Sequence, residues 1–136
     1  MTRFGIDALT AIRLAREGVV IAKEHSLVAP TLLRSQALSL LYRAVREDGL
    51  DSKEARATLD GITTMSIRLL GDRVSRATAW RIAEEQGWDD TADAEYLAVA
   101  QLQADYFVTV DPDLLAKADG IVPTATFGAL IAASDI

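Results

Sequence analysis

The chain has 136 residues, half of them hydrophobic and a quarter charged, with a formal net charge of −6. That length suits one domain, able to bury about two thirds of the surface its unfolded form exposes. Without cysteine there is no disulfide framework, thiolate zinc site or cysteine nucleophile, and the single histidine, His25, argues against a histidine triad or a multi-histidine metal centre.

Residues 3–7, RFGID, read as a short strand ending in Asp7. ALTAIRLAREG (8–18) has helical spacing and Gly18 as its stop. His25 falls in a polar stretch and is expected at the surface or in a loop; HSLVAP (25–30) is a short buried strand or turn that ends at Pro30. From Thr31, apolar residues at 33, 37, 40, 41, 44 and 45 predict an amphipathic helix that Gly49 closes. Asp51 and Glu54 resemble a capping box and open a helix to about Met65. SIRLLG (66–71) sits where a strand belongs, and Asp72 opens a helix that Gly87 ends. WDDTADAEYLAVAQLQA (88–104) carries a helix that begins after Asp89 and Asp90. YFVTV (106–110) is the clearest strand, apolar, β-branched and aromatic. DPDLLAKAD (111–119) is a short helix, GIVP (120–123) a last short strand, and the tail from Thr126 has room for one more helical turn.

Strands alternating with helices predict an α/β domain spanning 1–136, with a mostly parallel sheet covered on both faces. Ligands of such sheets bind beyond the carboxyl ends of the strands. Asp7 closes the first strand and Asp111 closes YFVTV, so both belong on one rim. Asp93 lies in the first turn of the intervening helix and shares a face with Leu97 and Ala100. Each acid also has a simpler role. Asp111 before Pro112 is a good helix start, and Asp89, Asp90, Asp93 and Asp113 all suit a helix N-terminus. Carboxylates brought onto one rim repel one another and raise their pKa values unless a cation compensates. A hard divalent ion such as Mg²⁺ or Mn²⁺, with its preference for oxygen, is the natural compensator and can assist phosphodiester hydrolysis.

At these residues the chain resembles the PIN-domain family, the fold of VapC-type toxin ribonucleases. The resemblance rests on GID with Asp7, the APTLLRSQALSLL segment, DAEYLAVA from Asp93 to Ala100, and FVTVDPDLL with Thr109, Asp111 and Leu114. It covers nearly the whole chain and implies a three-layer α/β/α sandwich. It also implies a toxin-type ribonuclease dependent on Mg²⁺ or Mn²⁺, with an RNA substrate, a cognate antitoxin, homodimer formation and a cytoplasmic location. Asp7, Asp93 and Asp111 would be its catalytic and metal-binding acids, Asp113 a weaker ligand, and Thr109 a site-shaping hydroxyl. The family's second acid, usually glutamate, is replaced here by Gln36. An amide keeps an oxygen donor but brings no charge, so the alternative is a weakened or inactive relative that binds RNA or protein without cutting.

Other aspartate chemistries fit less well. A phosphate-accepting receiver would want an acid pair after the first strand and a lysine after a late one, whereas GIDALT has one acid and Lys117 lies too far along. A phosphatase would want an early Asp-x-Asp, and here that pair, Asp111 and Asp113, is late. Arg34, Arg73, Arg76 and Arg81 read as solvated helix faces. No run approaches the roughly 18 apolar residues of a membrane span, and MTRFGIDALT lacks a signal-peptide core.

Overall fold

A computed structural model describes residues 1–131 of the chain. In chain order the elements are β1 (Thr2–Ile6), α1 (Ala8–Glu17), β2 (His25–Pro30), α2 (Leu32–Glu47), α3 (Ser52–Thr64), β3 (Ile67–Leu70), α4 (Arg73–Gln86), α5 (Ala92–Gln103), β4 (Tyr106–Val108) and α6 (Pro112–Ala118). A 3-10 turn, Phe127–Leu130, supplies the helical turn expected in the tail; the rest of that tail lies outside the described residues. The four strands form one sheet in the order β3-β2-β1-β4, and every pairing is parallel. From β1 the chain steps through β2 to β3 in one direction. It then returns across the sheet to β4. Right-handed crossovers therefore place α1, α2 and α3 on one face and α4 and α5 on the other. The result is a three-layer α/β/α sandwich.

Local sequence explains most of the boundaries. Asp7, Asp51, Asp72 and Asp111 are N-caps whose side chains accept the backbone N–H of Thr10, Glu54, Ser75 and Asp113 respectively. Gly18 (φ 61°) and Gly87 (φ 72°) end α1 and α4 in the left-handed conformation that glycine adopts without cost.

α5 is apolar almost all round. Ala94 and the run Tyr96–Ala100 are buried between the sheet and α4. Its approach to β1 is close enough to require a glycine. A Cβ on Gly5 would lie 3.1 Å from the Ala100 methyl and 3.2 Å from the Phe107 ring. That contact sets the height of α5 on the sheet. Asp7 lies two residues along β1 from Gly5, about 7 Å toward the rim. Asp93 lies two helical turns from Ala100, about 10 Å in the same direction, because a crossover helix runs antiparallel to its strands.

Two expectations need correction. GIVP does not form a strand. The N–H groups of Ile121 and Val122 turn back onto the Ala118 carbonyl at 3.0 and 3.1 Å, Gly120 has φ 79°, and Pro123 has no N–H to give. What remains of strand pairing is one parallel bridge, Phe107 with Thr124, held by Phe107 N–H to Pro123 O (2.8 Å) and Ala125 N–H to Phe107 O (3.0 Å). His25 is not a surface loop residue. It opens β2, half-buried, with its ring edge-on to Phe4 at 4.9 Å and its Nδ1 buried without a hydrogen-bond partner.

No helix among the described residues is long and apolar enough to cross a membrane.

Candidate functional site

The connection order reverses at β1: one crossover leaves it toward β2, and the other returns to its opposite side at β4. Between two such strands the connecting loops part, opening a crevice above their carboxyl ends. Asp7 follows β1 there, and Thr109 to Asp111 follow β4. The crevice is a cleft of about 290 Å³ whose walls include Asp7, Gln36, Ser39, Leu40, Arg43, Asp93, Tyr96 and Asp111. It thus joins three of the four expected metal-binding acids, and Gln36 with them. Asp113 is the exception. It is exposed on α6 and does not line the cleft; its N–H donates to Asp111 Oδ1 at 2.9 Å, so it belongs to the helix start.

Asp7 is the anchor of the site. It is 4% exposed. Its Oδ1 accepts the Thr10 N–H at 3.2 Å and the Thr10 hydroxyl, and its Oδ2 accepts the Thr109 hydroxyl at 2.9 Å. Burial pushes its pKa above the usual carboxylate value, and the hydrogen bonds from Thr10 and Thr109 offset part of that rise. Thr109 is a hinge between the strand ends. While it donates to Asp7, its oxygen accepts the Asp111 N–H at 3.1 Å. The Thr10 hydroxyl similarly accepts the Val110 N–H at 3.2 Å. The loop after β4 is therefore fastened to the start of α1 through two threonines, which fixes Asp111 relative to Asp7.

The opposite wall comes from α2 and α5. Tyr96 is buried, and its hydroxyl donates to Gln36 Oε1 at 2.5 Å, tying the two helical layers together over the rim. Burial raises the phenol's pKa, and the negative charge of Asp7 adds to the effect, so Tyr96 remains a neutral donor. Gln36, Leu40 and Arg43 recur on α2 with the i, i+4, i+7 spacing that places them on one face.

Asp93 is half-buried and already paired. Lys117 of α6 holds Asp93 Oδ2 at 2.7 Å and lies 5.1 Å from the centre of the Trp88 ring. The hydrogen bond to Asp93 is the main reason the Lys117 pKa is raised. Asp93 is also part of the wall of a neighbouring cavity of about 400 Å³, lined by Trp88, Asp89, Asp90 and Lys117. It therefore belongs to both walls, while Lys117, its counter-charge, lines the second cavity and not the first.

The donors are all oxygen, which suits a hard divalent ion rather than a transition metal that prefers nitrogen or sulfur. Among the described residues, however, no three acidic side chains are gathered about a common point as a ready-made metal cage. The acids line one cleft without converging.

Sequence reasoning missed Ser39, Arg43, Lys117 and the tether from Tyr96. For Arg43 a signal was present in its seven-residue spacing from Gln36. For Lys117 there was none, because its contact with Asp93 spans α5 and α6.

No family model and no curated protein matches the chain. Its fold is similar to that in the crystal structure of PAE2754 from Pyrobaculum aerophilum, with a TM-score of 0.67 and 23% sequence identity over 94% of this chain and 92% of that one.

Proposed function

We infer that this is a PIN-like, metal-dependent ribonuclease whose acidic cleft binds Mg²⁺ or Mn²⁺ and hydrolyses RNA phosphodiesters. The observation that supports it is that Asp7, Asp93, Asp111 and Gln36, from four separate parts of the chain, line one cleft at the point where the connection order of the sheet reverses. Capping α1 does not by itself require a buried carboxylate at that cost. A serine or asparagine could cap α1 at lower desolvation. A buried carboxylate with a raised pKa and no cationic partner among the described residues suits a site that is completed by a cation.

In this reading Asp7, Asp93 and Asp111 hold the ion, with the Gln36 amide oxygen at the edge. The bound ion would supply neutralising charge for a phosphate and a water of lowered pKa. Thr10 and Thr109 orient Asp7, Thr109 also fixes the Asp111 loop, and Tyr96 holds Gln36. RNA cleavage in Mg²⁺ and Mn²⁺, run beside Asp7→Asn and Asp93→Asn, tests the assignment. The native protein should cut and both variants should fall by at least about 100-fold, as expected when a charge that stabilises the transition state is removed. Equal activity in all three preparations would mark a contaminant. A toxin role, a cognate antitoxin and a homodimer follow from the resemblance alone and stand as parts of this proposal.

One observation favours a second reading, a site that binds RNA or a protein partner without cutting. The amide oxygen of Gln36 is taken by Tyr96, one Asp93 oxygen by Lys117, both Asp7 oxygens by Thr10 and Thr109, and Asp111 Oδ1 by the Asp113 N–H, so each of the four positions already has a partner within the protein. Creation of nuclease activity by Gln36→Glu in an otherwise inactive protein would select this second reading.

A further inference from the structure

The cleft has one basic side chain among its acids. Arg43 lies on the α2 face that carries Gln36 and Leu40, two helical turns and about 10 Å along the axis from Gln36. Side chains on a helix lean toward its N-terminus, so Arg43 extends back over the turn carrying Ser39 and toward the acids. Yet it makes no ion pair and no hydrogen bond among the described residues, although Asp7, Asp93 and Asp111 line the same cleft. Arg13, Arg16 and Arg81 each reach a glutamate, whereas Arg43, like Arg34 and Arg46 on the same helix, makes no ion pair among the described residues. The helix itself is basic for so acidic a protein. Between Leu32 and Glu47 it has Arg34, Arg43 and Arg46 against Glu47 alone. The cleft is therefore bipolar, with carboxylates at the strand ends and an unpaired guanidinium along α2.

We propose that Arg43 is the phosphate-binding residue of this cleft, gripping the sugar–phosphate backbone of a single strand while the acids face the bond to be cut. The inference rests on the ribonuclease reading above and adds the side chain that would hold the substrate. Its chemistry is suited to the task. A guanidinium is always charged and offers a planar fork of donors that matches two phosphate oxygens. A contact of this kind positions a strand without reading its sequence.

The test is binding of a fluorescein-labelled single-stranded oligoribonucleotide, followed by anisotropy across a salt series in buffer with Ca²⁺, a divalent ion of looser coordination. The proteins are the native chain, Arg43→Ala, Arg43→Lys and Arg34→Ala. Arg34 is exposed on the same helix but does not line the cleft, so its variant removes equal charge without touching the site. Arg43→Ala should bind about tenfold more weakly, with a salt slope smaller by about one, and Arg43→Lys should recover part of the loss. Arg34→Ala should stay within about twofold of native. Equal losses in Arg43→Ala and Arg34→Ala, or none in either, would overturn the role of Arg43 and leave the ribonuclease reading standing. A native protein that binds no RNA would overturn both.

Discussion

The Tyr96 hydroxyl donates to Gln36 Oε1 at 2.5 Å, from α5 to α2 across the mouth of the acidic cleft. The bond fixes the orientation of the one neutral side chain at a position where the resemblance places a carboxylate. It also explains how an amide is accommodated there: the phenol gives it a donor, and its oxygen needs no charge to accept one. Gln36→Glu would turn this into a charge-assisted bond and add a fourth negative charge to the cleft. Mn²⁺ affinity, followed by isothermal titration, should rise about tenfold, the scale of one added charge in a partly solvated site. Unchanged affinity would mean that Gln36 lies outside the ion's reach.

Asp7 predicts an inverted pH dependence. Its folded pKa is raised above the unfolded value by burial. In the window between the two values the folded state binds the extra proton, so stability falls as pH rises through it, and at neutral pH the buried charge is a net cost. Asp7→Asn should therefore melt higher than native at pH 7, on the order of a few degrees. The advantage should shrink as pH falls and disappear below the unfolded carboxylate pKa. Calorimetric scans between pH 3 and 7 read this directly; a lower melting temperature for the variant at pH 7 would show that the bonds from Thr10 and Thr109 outweigh desolvation.

Thr109 couples Asp7 to the Asp111 loop with one hydroxyl. Thr109→Val keeps the shape, removes the donor to Asp7 and orphans the Asp111 N–H. Urea unfolding should show a loss of about 2 kcal/mol, the scale of a buried polar group left without its partner. RNA cleavage should fall with it, because Asp111 is no longer held relative to Asp7.

Lys117 is a counter-charge built in beside the cleft. It holds Asp93 at 2.7 Å and lies beside Trp88. Replacing it with methionine keeps much of the apolar stem and frees the carboxylate. Mn²⁺ binding should tighten several-fold in Lys117→Met, since one positive charge near the ion is removed. In an Asp93→Asn background the same change should have a smaller effect, which a double-mutant cycle measures.

Much of this architecture was legible in the sequence because it is written locally. Asp7, Asp51, Asp72 and Asp111 each cap the helix that follows, Gly18 and Gly87 stop helices at positive φ, and the aromatic and β-branched run YFV forms β4. The period-two and helical patterns also placed three acids on one rim. GIVP failed because its apolar composition fits a strand while its N–H groups are used up in turns on Ala118. His25 looked like a loop residue because its packing partner, Phe4, is remote in sequence and adjacent only through the β1–β2 register. Asp113 joins the acids only through the resemblance, whereas its place in the first turn of α6 leaves its side chain exposed and its N–H on Asp111. Lys117 and Tyr96 act through contacts between elements, and no local pattern records those.

In the proposed function three carboxylates, Asp7, Asp93 and Asp111, serve one cation site. Isothermal titration of Mn²⁺ into the native protein and into Asp7→Asn, Asp93→Asn, Asp111→Asn and Asp113→Asn tests that grouping. Binding should weaken about tenfold or more in each of the first three and stay within about twofold of native in Asp113→Asn, because Asp113 lies outside the cleft. Mn²⁺ uptake that is indifferent to Asp7, Asp93 and Asp111, or absent from the native protein, would contradict it.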